Sequence, residues 1–185
     1  SWSPSIKKVI NKMKKKYYYL ILSFLCGLSS NLFGQNLPQG FSSIAVLEGI
    51  ENISSFAFID QDKIILAKQS GEIHLYDTGA YHESPIARIP TIISSVGGDR
   101  GIAGIALDPD YPTSPYLYVT YTVEAATHNI LSRFIFNGSS IDLDSEEVLV
   151  EYSPLVGIWH TGGAIVFDDS GRLFTTTGDN SVPAN

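Results

Sequence analysis

The chain has 185 residues, 44% of them hydrophobic and 17% charged, with 16 glycines, 9 prolines and one cysteine. This suits one globular domain or part of a larger one, and it excludes a disordered tail, a collagenous chain and a disulfide-stapled miniprotein. The formal charge of −7 is unevenly spread: six of the twelve basic residues lie between Lys7 and Lys16, and the remaining six face nineteen acids that begin only at Glu48, which leaves no footprint for nucleic acid or an anionic membrane surface.

In chain order, residues 1–12 precede Met13, the only methionine, and read as upstream sequence. Lys14, Lys15 and Lys16 then introduce an apolar run from Tyr17 to Leu28, followed by the small or polar Ser29, Ser30, Asn31 and Gly34. A basic start, a short apolar core and a small-residue exit make residues 13–34 a secretory signal, cleaved near Gly34–Gln35. The run of twelve residues is shorter than the roughly 20 that a membrane-spanning helix needs. An uncleaved N-terminal anchor is the alternative. Cys26 lies inside the run behind Leu25, which is too large for a lipoprotein signal. The exported chain then has no thiol, hence no disulfide, no Cys-ligated metal and no Cys nucleophile. The expected location is secreted or periplasmic in a bacterium, with no stable membrane span after cleavage.

Residues 35–185 alternate short apolar stretches with turn formers. Strands are predicted at Ser43–Leu47, Ile53–Ile59, Lys63–Lys68, Glu72–Tyr76, Gly104–Leu107, Tyr116–Thr122, Ile130–Phe136, Glu147–Val150, Ala164–Phe167 and Arg172–Thr177. Between them lie turn formers such as Asp60-Gln61-Asp62, Asp108-Pro109-Asp110 and Asn137-Gly138. No segment after Gln35 keeps a helical period, so the body reads as all-β. Three units repeat a strand, an acidic turn and a second strand, starting at Ala57, Ala106 and Val166. Repeats at this interval predict β-propeller blades, about three of them, with a β-sandwich as the alternative. A closed propeller needs at least four blades, so the chain is expected to be the front part of a longer protein.

The most conspicuous local sequence is Gly157-Ile158-Trp159-His160-Thr161-Gly162-Gly163-Ala164, ahead of a predicted strand. Paired glycines let the backbone approach a flat ligand, and an imidazole can take a proton near neutral pH. A loop histidine that bonds only its own turn is the plainer reading. His74, His82 and His128 show no metal-ligand spacing, Gly97-Gly98-Asp99-Arg100-Gly101 lacks the ending of a phosphate cradle, and no Gly-x-Ser-x-Gly is present. The Gly97–Gly101 segment reads as a tight loop feeding the next strand. Asp142–Asp144 and Asp168-Asp169 read as solvated turns, and no metal ligands are assigned.

Taken in order, several stretches resemble the glucose/sorbosone dehydrogenase family, the soluble quinoprotein sugar dehydrogenases. They are Ile64–Ile73, Gly101-Ile102-Ala103-Gly104-Ile105-Ala106-Leu107-Asp108-Pro109-Asp110-Tyr111, Tyr116–Tyr121, Leu131-Ser132-Arg133-Phe134, Ser145–Leu149, His160–Phe167 and Gly171 to Asn180. The resemblance implies a partial six-bladed propeller and, for the full-length protein, pyrroloquinoline quinone (PQQ) and calcium, with most ligands beyond Asn185. It implies that His160 is the general base that takes a sugar hydroxyl proton while hydride passes to the quinone. Cofactor contacts fall on Asp99, Arg100, Gly162 and Gly163, and substrate contacts on Asp99 and Trp159. Asp99 stands where some members have glutamine, and Trp159 where some have aspartate. The implied partners are a small sugar-like substrate and an electron acceptor. The fragment alone is expected to be inactive. The rival is a secreted propeller that binds a glycan or protein without redox chemistry.

Overall fold

The computed structural model describes residues 37–93 and 97–179; the expected signal segment and Cys26 lie outside them. The chain divides into two compact units, Ser1–Ala45 and Val46–Asn185. In the described part of the first, a turn at residues 39–40 is closed by the Phe41 N–H donating to the Pro38 carbonyl at 3.1 Å.

Among its described residues the second unit is all-β, and its strands fall into three antiparallel sheets taken one after another along the chain. The first holds β1 (Ile53–Phe58), β2 (Lys63–Lys68), β3 (Glu72–Asp77) and β4 (Ala80–Tyr81) in that order, with β5 (Ala87–Arg88) also paired to β3. The second is the meander β6 (Ile102–Leu107), β7 (Tyr116–Thr122), β8 (Asn129–Phe136) and β9 (Ile141–Glu151). The third pairs β10 (Gly162–Phe167) with β11 (Leu173–Thr177). The three sequence repeats are the opening hairpins of these sheets.

The first strands of the sheets lie side by side. The Ile105 N–H of β6 donates to Ser55 Oγ of β1 at 3.1 Å. On its other side β6 meets β10 so closely that a Cβ on Gly104 would collide with the Gly163 backbone. Strands β1, β6 and β10 are thus the inner strands of successive propeller blades.

Blade two is sandwiched by its neighbours, and that explains its composition. Strand β7 is buried from Leu117 to Thr122, on both faces, which suits its run of Leu, Val, Tyr and Thr. One face joins Ile65, Ala67, Ile73 and Leu75 of blade one in a core that also takes Phe134 and Phe136. On the other face Tyr118 meets Phe167 edge-on, with ring centres 5.0 Å apart. The far faces of blades one and three are open: Phe56 and Phe58 are exposed on one, Val166 and Phe174 on the other.

Three expectations need correction. Ser43–Leu47 is irregular, because its alternating apolar residues find no ladder partner and Ile44 stays exposed. Asp142–Asp144 belongs to β9, which starts at Ile141. There the Asp144 N–H donates to Asp142 Oδ1 and the Ile135 N–H to Ser145 Oγ, so side chains fill the ladder where it bulges. The two-residue strands β4 and β5 escaped prediction altogether.

Candidate functional site

Each inner strand begins with a fault in its ladder. The register slips between Ile53 and Ser55 in β1, between Ile102 and Gly104 in β6, and between Gly162 and Ile165 in β10. Such bulges bend a strand and re-aim its side chains. Here they splay the same end of three adjacent strands, and a cleft of about 470 Å³ opens among Asn52, Ile53, Ser54, Gln69, Asp99, Ile102, Ala103 and Gly162.

Two loops form the rim, each leading into an inner strand. Residues 97–101 precede β6 and residues 157–161 precede β10, and a set of polar bonds fastens them together. The Asp99 N–H donates to the Ile158 carbonyl at 2.7 Å, and Thr161 Oγ1 donates to the Asp99 carbonyl at 3.3 Å. The Arg100 guanidinium donates to the Gly157 carbonyl at 3.2 Å. Gly98 has φ +117° and lies against the Ile158 carbonyl, where any side chain would collide. Gln69 of blade one joins in, its amide donating to the Gly98 carbonyl at 2.7 Å.

His160 sits at the centre of this seam. Its φ of +57° is in the left-handed region, which costs an L-residue about 1–2 kcal/mol. The Asp99 carboxylate offsets that cost by accepting the His160 N–H at 2.6 Å, a charge-assisted bond. The imidazole Nδ1 lies 2.9 Å from Asp179 Oδ1. Antiparallel pairing explains that contact: Gly162 opposes Thr177, so the residues just before β10 and just after β11 share one end of the hairpin. The ring itself remains 64% exposed, open to a ligand.

The expected site residues therefore divide. Asp99 and Gly162 line the cleft. His160 stands one bond from Asp99, and the half-exposed Trp159 packs over Gly97 on the same rim. Arg100 secures the loops, and its Nε is buried without a hydrogen-bond partner. Gly163 is buried against Ala103 and Thr120, in the packing of β10 on β6. Sequence reasoning gave no role to Asp179, Gln69 or Asn52. Asp179 and Gln69 had a signal, since each falls in a stretch that carried the resemblance; Asn52 had none.

Among the described residues no three His, Cys, Asp or Glu side chains converge as metal ligands. No helix there is long and apolar enough to cross a membrane.

An all-β chain whose successive blades set their inner strands side by side and open a cleft at one end of them is a β-propeller. Residues 50–185 match the profile of the glucose/sorbosone dehydrogenase family, and the chain belongs to that family. It is 21% identical over 161 residues to quinoprotein glucose dehydrogenase B of Acinetobacter calcoaceticus, covering 82% of this chain and 34% of that protein. Among solved structures, it superposes with a TM-score of 0.64 on a Thermus thermophilus protein assigned as an oxidoreductase (glucose dehydrogenase), at 30% identity, covering 72% of this chain and 39% of the other. The PQQ-bound aldose sugar dehydrogenase of Streptomyces coelicolor gives the same TM-score at 22% identity, covering 74% and 41% of the two chains. The chain spans less than half the length of the curated relatives it matches first.

Proposed function

We propose that the full-length protein is a secreted, PQQ-dependent dehydrogenase of sugar hydroxyls and that His160 is its base. The observation that carries this reading is the state of His160: its backbone is tied by Asp99, its Nδ1 is engaged by Asp179, and its ring is exposed beside the cleft.

The residues present fit one wall of a quinone site. The cleft has the volume of a typical ligand pocket, roughly 300–1,000 Å³, and Gly162 keeps its edge free of side chains. Gly162 and Ala103 would meet the flat ring system. Bound there, the quinone supplies a two-electron acceptor for the hydrogen that leaves the sugar carbon with its electron pair. Calcium is assigned to none of the described residues; its ligands belong to the further blades that we propose cover the open faces of Phe56, Phe58, Val166 and Phe174.

This chain's own residues then handle the proton. The Asp179 carboxylate accepts Nδ1–H, which fixes the tautomer and leaves the Nε2 lone pair to take the sugar hydroxyl proton. Asp99 holds the backbone that carries the ring, and Trp159 offers an apolar face at the rim. The further partner such chemistry would need is an electron acceptor.

In the full-length protein supplied with PQQ and calcium, aldose-dependent dye reduction is expected, and His160→Ala should lower turnover by about 10²–10⁴. An unchanged rate would remove the assignment. The 185-residue chain alone is expected to be inactive. Glycan or protein binding by the full-length protein, with no dye reduction, would favour the non-catalytic propeller.

A further inference from the structure

The structure assigns Asp99 a role that the resemblance does not: we infer that it is a positioning residue, a strap between two blades that sets the conformation of the base, and not a substrate ligand. The inference rests on the reading of His160 as base.

Three polar groups of Asp99 are committed to the neighbouring loop. Its N–H bonds Ile158, its carbonyl accepts from Thr161, and its Oδ2 accepts from His160. These three contacts bracket His160 on both sides, across a sequence separation of 61 residues. Two of them are backbone bonds that any residue could make. The third needs an acceptor at the end of a short side chain, and it falls on the single N–H whose residue has the strained φ of +57°. A peptide in the left-handed region turns its N–H away from the local ladder, and this one takes its acceptor from another loop. Asp99 supplies one that carries charge, and the bond is short at 2.6 Å.

Without that acceptor the peptide can relax toward an ordinary backbone conformation, and the ring swings on its Cα away from the cleft. Asparagine keeps a side-chain oxygen at the same reach, so Asp99→Asn retains the strap while losing the charge, whereas Asp99→Ala removes it. A substrate-binding carboxylate would behave differently, since its loss would weaken the sugar's hold and leave the base in place.

The test uses the full-length protein in two states. In the cofactor-free protein labelled with ¹⁵N-histidine, the His160 amide proton is expected downfield and slow to exchange. Asp99→Ala should move it upfield and speed exchange, and Asp99→Asn should move it less. The amides of His74, His82 and His128 should stay in place, which shows that the fold is intact. In the loaded protein, Asp99→Ala should lower kcat about 10- to 100-fold with KM for the aldose within about twofold, and Asp99→Asn should recover most of it. A His160 amide that does not respond to Asp99→Ala overturns the inference, as does a raised KM at unchanged kcat. If the amide responds as expected while neither Asp99→Ala nor His160→Ala alters turnover, the strap stands and the assignment of His160 as base fails.

Discussion

Glu72 holds blade one together, and its removal can be scored in advance. Its carboxylate meets Lys68 of β2 at 3.3 Å, the His74 ring of β3 at 3.2 Å and Arg88 of β5 at 2.5 Å. Hydrogen bonds from His74 first, then from Arg88 and Lys68, hold its carboxyl at about 2 against an ordinary 4.5. That gap is equivalent to about 3 kcal/mol, and the 20% exposure of the side chain reduces it to about 2 kcal/mol. Because the folded state binds the proton less readily than the unfolded chain, the contribution is complete above about pH 4.5. It is lost as the pH falls toward about 2. Glu72→Gln should therefore cost about 2 kcal/mol in urea denaturation at neutral pH, and the gap to wild type should narrow steadily below about pH 4.5. A gap that persists undiminished at about pH 3, or one below about 0.5 kcal/mol at neutral pH, would refute the reasoning.

The remaining expectations concern the core, the blade contact and the proposed base. Phe136 is fully buried and stacks on Tyr111 with ring centres 5.6 Å apart, so Phe136→Ala should lose about 3–5 kcal/mol in the same urea titration. Gly163→Ala would press a methyl group against Ala103 and Thr120 at φ +119°; a cost of about 1–3 kcal/mol is expected, read as a lowered Tm. Asp179→Asn keeps a hydrogen-bonding group near Nδ1 but no longer selects its protonated tautomer, and steady-state kinetics should show kcat down about tenfold or more at a steady KM.

Much of the fold was legible because half-buried strands write their period into the sequence. Ile64 to Lys68, Tyr116 to Thr122 and Ile130 to Phe136 are β-branched or aromatic runs bounded by turn formers, and each forms a strand as predicted. Failures arose where a strand depends on its neighbour. The start of β9 is acidic and has no apolar period; it is a strand because β8 offers a ladder and Ser145 bridges the bulge. Ser43–Leu47 shows the converse, a good alternation that forms no ladder among the described residues. His160 was visible in the sequence because paired glycines follow it. Its partners were not, because Asp99 lies 61 residues before it and Asp179 lies 19 residues after. Only the stacking of blades and the closing of a hairpin bring them together.

The location of the cleft follows from the same repetition. Three hairpins of one design carry a ladder fault near the start of the inner strand, so neighbouring blades open at the same end. At that end the loops are free of ladder duty, and their backbone groups must find partners across the gap. Asp99, Arg100 and Gln69 meet that demand by bonding loop to loop, and the bond to Asp99 falls on the His160 N–H, at the strained φ. The cleft is thus a consequence of how blades must join, and His160 inherits its geometry from the joint. A substitution that loosens the seam between the loops before β6 and β10 should disturb His160 before it unfolds the sheets, since Leu117 and Phe134 pair at the far end of β6, opposite Leu107.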